Sequence, residues 1–180
     1  MSTGLKQLDK LLHNVVHEVF QTETSAVRHC RREAERLGAT GPGRAMMAIS
    51  GHASQVLEAL GPICQREGLP ISVGGSTAGM LLSEMRDKVL DRLIQSERSY
   101  RGTLMGLHHG IDLMKLVTLA AEASGKPFLL ELCNNWIPAR TALVQLAVEE
   151  LSWFVMHPER ATEIARPLML TARSHRVAQL

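Results

Sequence analysis

Apolar residues recur at three- and four-residue spacing along almost the whole chain, and nowhere do they alternate over the length of a strand. That periodicity allows little besides helices packed on helices. The first segment, about Leu5 to Leu37, carries Leu8, Leu12, Val15, Val19, Ala26, Cys30 and Leu37 on one stripe. "LGATGPG" stops it: Gly38 suits a left-handed C-cap, Thr40 or Gly41 the next N-cap, and Pro42 a first helical turn. A second helix, Pro42 to Glu67, buries Ile49, Ala53, Val56, Leu57 and Leu60 and ends at Gly68.

"GLPISVGGST" is the clear break, too polar and Gly-rich for a strand that has no partners. Ser76 or Thr77 caps a helical region reaching Ser124-Gly125. As one helix it would run about 70 Å at roughly 1.5 Å per residue, far longer than its neighbours, so a break is expected before Leu90. This gives a short crossover helix and a main third helix. A fourth runs from Pro127 to Met156, with Pro138 kinking or splitting it, and His157-Pro158 opens a short tail helix interrupted by Pro167. The expected fold is all-α: a four-helix bundle over residues 1–156 with a crossover between helices 2 and 3, and a C-terminal tail over 157–180.

Composition narrows the class. A chain of 180 residues with 45% hydrophobic and 21% charged residues can bury one core, and 3% aromatics with nine Met make that core aliphatic. A net charge of +2 provides no field that calls for nucleic acid. Lys6, Asp9 and Lys10 interrupt the first apolar pattern, so no signal peptide is expected, and no run is long and apolar enough to span a membrane. Cys30, Cys64 and Cys133 are too few and too scattered for a disulfide framework and suit a reducing cytoplasm. Arg166, Arg173 and Arg176 make the end of the chain basic, either a solvated tail or a dock for an acidic partner.

The polar residues near the apolar stripes carry the functional question. Stepping about 100° per residue puts Leu90, Leu93, Leu104 and Ile111 together on the third helix. Glu97 and His108 fall inside that arc, with Arg101 on its flank. Glu23 and His52 stand at the edges of the first and second stripes, and Glu150 lies beside Leu143 and Phe154. A carboxylate taken out of water costs several kcal/mol unless something compensates it. Neighbouring protein groups can do so, namely Arg101, Arg140, Tyr100 and His108, with Glu97–Arg101 an i,i+4 pair; Arg101, His108 and Glu150 then form a buried polar layer. A metal is the other answer. Di-iron bundles use Glu from two helices and Glu-x-x-His from the other two, but no Glu-x-x-His occurs here: Ile49 stands three before His52, and the nearest motif on the fourth helix is Glu131-Leu-Cys-Asn134. A partial site of Glu23, His52 and Glu97, holding iron, manganese or zinc, is the alternative; otherwise no cofactor is expected.

Gly102, Gly106 and Gly110 form a ridge at four-residue spacing. Each costs a helix interior about 1 kcal/mol, which suggests close approach by another helix, within the chain or in a second subunit. His13 and His17 stand on the polar side of the first helix, His108 and His109 point about 100° apart and cannot chelate one ion, and His29 with Glu33 reads as an exposed pair. No phosphate loop, serine elbow or nucleophile–base motif is present.

"ETSAVRHCRREAERLG", from Glu23, resembles the first helix of a bacterial ferritin-like domain family of uncharacterised function. "GHASQVLEALGPICQREGLPIS" resembles that family's second helix, "GGSTAGMLLSEM" its Gly-rich crossover, and "LIQSERSYRGTL" its third helix with a ligand Glu. The likeness covers roughly residues 5 to 116 and is weaker beyond. It implies ligand roles for Glu23, His52 and Glu97 only. Ile49 stands where a carboxylate should precede His52, and Cys30 where Tyr is frequent, so the resemblance implies a ferritin-like scaffold with a degenerate metal site. The expectation is a non-catalytic module, homo-oligomeric or bound to a protein partner; a metalloprotein for storage, sensing or oxidation is the alternative.

Overall fold

The computed structural model describes residues 3–69 and 94–165. They form four long helices, α1 (Thr3–Leu37), α2 (Gly41–Arg66), α3 (Ser96–Ala123) and α4 (Pro127–Glu149), followed by the short α5 (Leu151–Met156) and α6 (Pro158–Thr162). The chain is all-α: the described residues contain no strand, only one isolated antiparallel bridge between Gln95 and Ile164. The expected crossover helix, the stripe positions Leu90 and Leu93, and the tail beyond Ala165 lie outside the described residues.

The helix boundaries follow from local chemistry. Gly38 takes φ +66°, a conformation that costs a residue with a Cβ, and closes α1. Thr40 is the N-cap of α2, its hydroxyl accepting from the Gly43 N–H at 3.3 Å, and Pro42 sits in the first turn where its missing N–H is no loss. Gly43 is required by close approach: a Cβ there would overlap the Gly38 carbonyl oxygen. Glu67 closes α2 and opens α4, accepting from the Phe128 N–H at 2.7 Å, while Lys126 Nζ donates to the Glu67 carbonyl at 2.6 Å. Pro138 does not split α4. It faces solvent, where the carbonyl it leaves unbonded can reach water; the break comes instead at Glu150. There the Tyr100 hydroxyl, fully buried, donates to the Ala147 carbonyl at 2.8 Å and satisfies an acceptor at the broken helix end.

Each long helix packs on two others: α1 on α2 and α3, and α4 on α2 and α3. Glu33 and Arg36, late in α1, meet Ser99 and Ser96 at the start of α3, while Glu18 meets His109, so α1 and α3 are antiparallel. The contacts Gly41–Glu150, His52–Arg140 and Glu67–Phe128 make α2 and α4 antiparallel too. With only a short turn between α1 and α2, helices α2 and α3 therefore run in the same direction. Between the four lies an aliphatic core including Leu12, Val16, Met46, Ile49, Leu60, Met114 and Leu129, with Trp136 and Tyr100 as its large rings. Each such side chain contributes roughly 1.5–3 kcal/mol on burial. No helix among the described residues is long and apolar enough to cross a membrane.

Candidate functional site

Two of the core stripes contain a charged residue where an apolar one is expected. On α4 the buried positions run Leu129, Cys133, Trp136, Arg140, Val144, Ala147, and on α1 Leu12, Val16, Val19, Glu23, Ala26, Cys30. Both stripes keep the helical period without a gap, so packing forces Glu23 and Arg140, each 1% exposed, into the interior. There they compensate one another. Arg140 Nη2 donates to Glu23 Oε2 at 2.7 Å, and Arg140 Nε donates to His52 Nδ1 at 3.2 Å from α2. One guanidinium thus joins three helices.

The protonation states follow from those contacts. His52 Nδ1 accepts a hydrogen bond, so the ring is neutral with its proton on Nε2. Burial, helped by the Arg140 charge, lowers its pKa to about 4. Burial also pushes the Glu23 carboxyl above its ordinary value, while the guanidinium charge and its hydrogen bond pull it back. Trp136, one turn before Arg140, places its ring centroid 4.8 Å from the guanidinium carbon. Its indole N–H acts on Glu23 as a nearby dipole and makes no well-aligned hydrogen bond to a described residue.

A second cluster lies nearer the start of α3. Glu33, 3% exposed, accepts from Arg36 and from the Ser99 hydroxyl at 2.5 Å, and Arg36 also reaches the Ser96 hydroxyl and its carbonyl, the latter at 3.1 Å. Glu33 is therefore buried and multiply bonded, where the sequence suggested an exposed pair with His29.

The residues singled out from the sequence divide. Glu23 and His52 come together on Arg140, but Glu97 does not join them: it pairs with Arg101 on an outer face, where their side chains are 31% and 56% exposed. His108 is exposed as well. The inward arc of α3 is centred on Tyr100 and Leu107, and at 3.6 residues per turn Glu97, Arg101 and His108 lie roughly 60–100° round from that centre. The expected stripe combines Leu104 and Ile111, which are buried, with Leu90 and Leu93, which precede the helix start at Ser96 and turn its phase. Arg101 and His108 thus leave the buried layer that the sequence reading gave them. Glu150 is half-buried and lies against the first residue of α2, where a Cβ on Gly41 would overlap its carboxylate, and a negative charge at that helix N-terminus is favourable.

The glycine ridge is not a close-packed seam among the described residues. A Cβ built on Gly102, Gly106 or Gly110 would meet no described atom within 4 Å. The missing side chains instead open a cleft of about 370 Å³ between α1 and α3, with Ala26, His29 and Arg32 on one wall and the three glycines on the other.

For covalent chemistry the materials are poor. Cys30, Cys64 and Cys133 are free and buried, and burial raises their thiols to about 12, 11 and 11, leaving them protonated and weakly nucleophilic. Burial raises the Tyr100 hydroxyl likewise. Among the described residues no three His, Cys, Asp or Glu side chains converge as a metal site would require. No protein-family model, curated protein or solved structure matches the chain.

Proposed function

We propose that the protein is a non-catalytic, ferritin-like four-helix bundle acting as an oligomerising or partner-binding module. The observation that carries this is the position of Arg140: its guanidinium bonds both Glu23 and His52, the two residues on which a metal site in such a bundle would be built. A fixed cation already neutralises the carboxylate, and the polar centre acts as a latch between α1, α2 and α4. The parallel course of α2 and α3 supports the ferritin-like classification, because the end of α2 and the start of α3 lie at opposite ends of the bundle. Apolar side chains on the outside support a binding role. Met105 and Leu119 are 74% and 65% exposed, and with Leu116 they follow one outward stripe of α3.

One observation favours a second reading, a metalloprotein of the same fold. Glu23 and His52 converge on a common cation, and a divalent ion displacing Arg140 would find the same two donors. Elemental analysis of protein purified without a His tag, together with sedimentation velocity, tests both. The expected result is substoichiometric metal and a self-associated or partner-bound species that Met105→Glu/Leu119→Glu dissociates. One equivalent of iron, manganese or zinc, lost in Glu23→Gln, would overturn the module reading in favour of the metalloprotein.

A further inference from the structure

We infer that the cleft between α1 and α3 is a binding site for a small amphiphilic organic anion, a carboxylate or phosphate monoester on an apolar body. Its size, about 370 Å³, falls in the range of small-molecule pockets. Its charge is one-sided: Arg32, Arg36, Arg98 and Arg140 line it against two carboxylates, Glu23 and Glu33, each of which already faces a guanidinium.

The arrangement along the groove gives the ligand a direction. Because Arg36 bonds Ser96 and Glu33 bonds Ser99, the three arginines Arg32, Arg36 and Arg98 stand at the end where α3 begins. Toward the other end Ala26 and Leu107 lie beside the backbone of Gly102, Gly106 and Gly110, with His109 and the mutually compensated Glu23–Arg140 pair also in the lining. Three glycines in mid-helix lower helix stability, and no described side chain fills the space they leave. A ligand body lying along the ridge makes use of that space, its anionic head held by guanidinium forks suited to planar carboxylate or tetrahedral phosphate oxygens. The inference stands apart from whether the bundle self-associates.

Isothermal titration calorimetry of the full chain with decanoate, octyl phosphate and decanol, each below its aggregation concentration, tests the site. Saturable binding of one equivalent of decanoate or octyl phosphate is expected, and which of them binds tighter identifies the head group. Decanol should bind at least about tenfold more weakly, and Arg98→Gln should weaken the anions by about the same factor, the effect of one charged hydrogen bond. Gly106→Leu fills the cleft without backbone strain; it should abolish anion binding while raising Tm. Gly102→Ala, a smaller filling, should weaken the anions if Gly106→Leu fails to fold. The inference is overturned by an absence of saturable anion binding, by equal binding of decanol, or by unchanged binding in folded Gly106→Leu. A dimer that Gly106→Leu dissociates, with no anion bound, would overturn it also and assign the cleft to a second copy of the chain.

Discussion

Replacing Arg140 by Met keeps most of the side-chain volume and removes the charge. Glu23, 1% exposed, is then left in the core without its guanidinium, and His52 Nδ1 loses its donor. Breaking a buried ion pair on one side costs roughly 3–5 kcal/mol, mainly through the uncompensated partner. His52 adds little, because its half-buried ring can take a water in exchange. In a chain of this length each kcal/mol lowers Tm by about 2–4 °C, so Arg140→Met should melt roughly 6–20 °C below wild type. The double variant Glu23→Leu/Arg140→Met restores a neutral interior and should recover to within about 2 kcal/mol, since apolar replacement of a buried pair is frequently near neutral. Urea denaturation followed by helical circular dichroism on wild type, both single variants and the double closes the cycle. Two single losses of about 3 kcal/mol or more against a double loss of about 2 or less require a coupling of about 4 kcal/mol. A coupling near zero, or an Arg140→Met variant within about 1 kcal/mol of wild type, would refute the assignment of Arg140 as the counter-charge of Glu23.

The remaining predictions concern the same framework. His52 protonates near 6.5 in the unfolded chain and near 4 in the fold, so between those values the unfolded state binds more protons and stability falls as the pH is lowered. At about 1.4 kcal/mol per pH unit, and discounted for the half-exposed ring, the loss should be on the order of 2 kcal/mol and should be absent from the pH profile of His52→Asn. The Glu23 carboxyl, raised in the fold, acts with the opposite sign above its ordinary value, so the difference between the two proteins is the quantity to measure. Tyr100→Phe should cost about 1–1.5 kcal/mol by urea denaturation, the value of the bond to the Ala147 carbonyl at the α4 break; an unchanged midpoint would remove that role. Gly41→Ala should shift stability by less than about 1 kcal/mol in urea denaturation, because the half-buried Glu150 carboxylate it overlaps is the far end of a flexible side chain and can swing aside; a loss of about 2 kcal/mol or more would show that carboxylate to be fixed in place.

The α-helical class and the ends of α1 and α2 were legible because Gly38, Thr40, Pro42 and Gly68 are local signals whose chemistry works without tertiary context. The partnership of Glu23 with Arg140 was half legible. Arg140 entered only as one of several neighbours, although its place in the run Cys133, Trp136, Arg140, Val144 already committed it to the core. An arginine on an unbroken apolar stripe is a stronger signal of a buried partner than a carboxylate at a stripe's edge. Glu97, Arg101 and His108 were misplaced because two of the four residues that set the stripe, Leu90 and Leu93, precede the start of α3 and turn its phase toward them. Pro138 was expected to kink or split α4 and does not split it, since an exposed helix face tolerates a lost hydrogen bond; the break at Glu150 has no signature in the sequence. Glycine spacing announced a feature on α3 but not its kind, because the same smooth ridge serves a tight helix contact or an open cleft, and only the distance to α1 decides.

Nitrogen-15 magnetic resonance of the Arg140 side chain and the His52 ring reads the central contact most directly. A neutral His52 with a bare Nδ1, joined to Arg140 by a slowly exchanging Nε–H and a scalar coupling across that bond, is the expected spectrum. An Arg140 Nε–H exchanging at the rate of an exposed arginine, or His52 signals displaced by a bound metal ion, would contradict it.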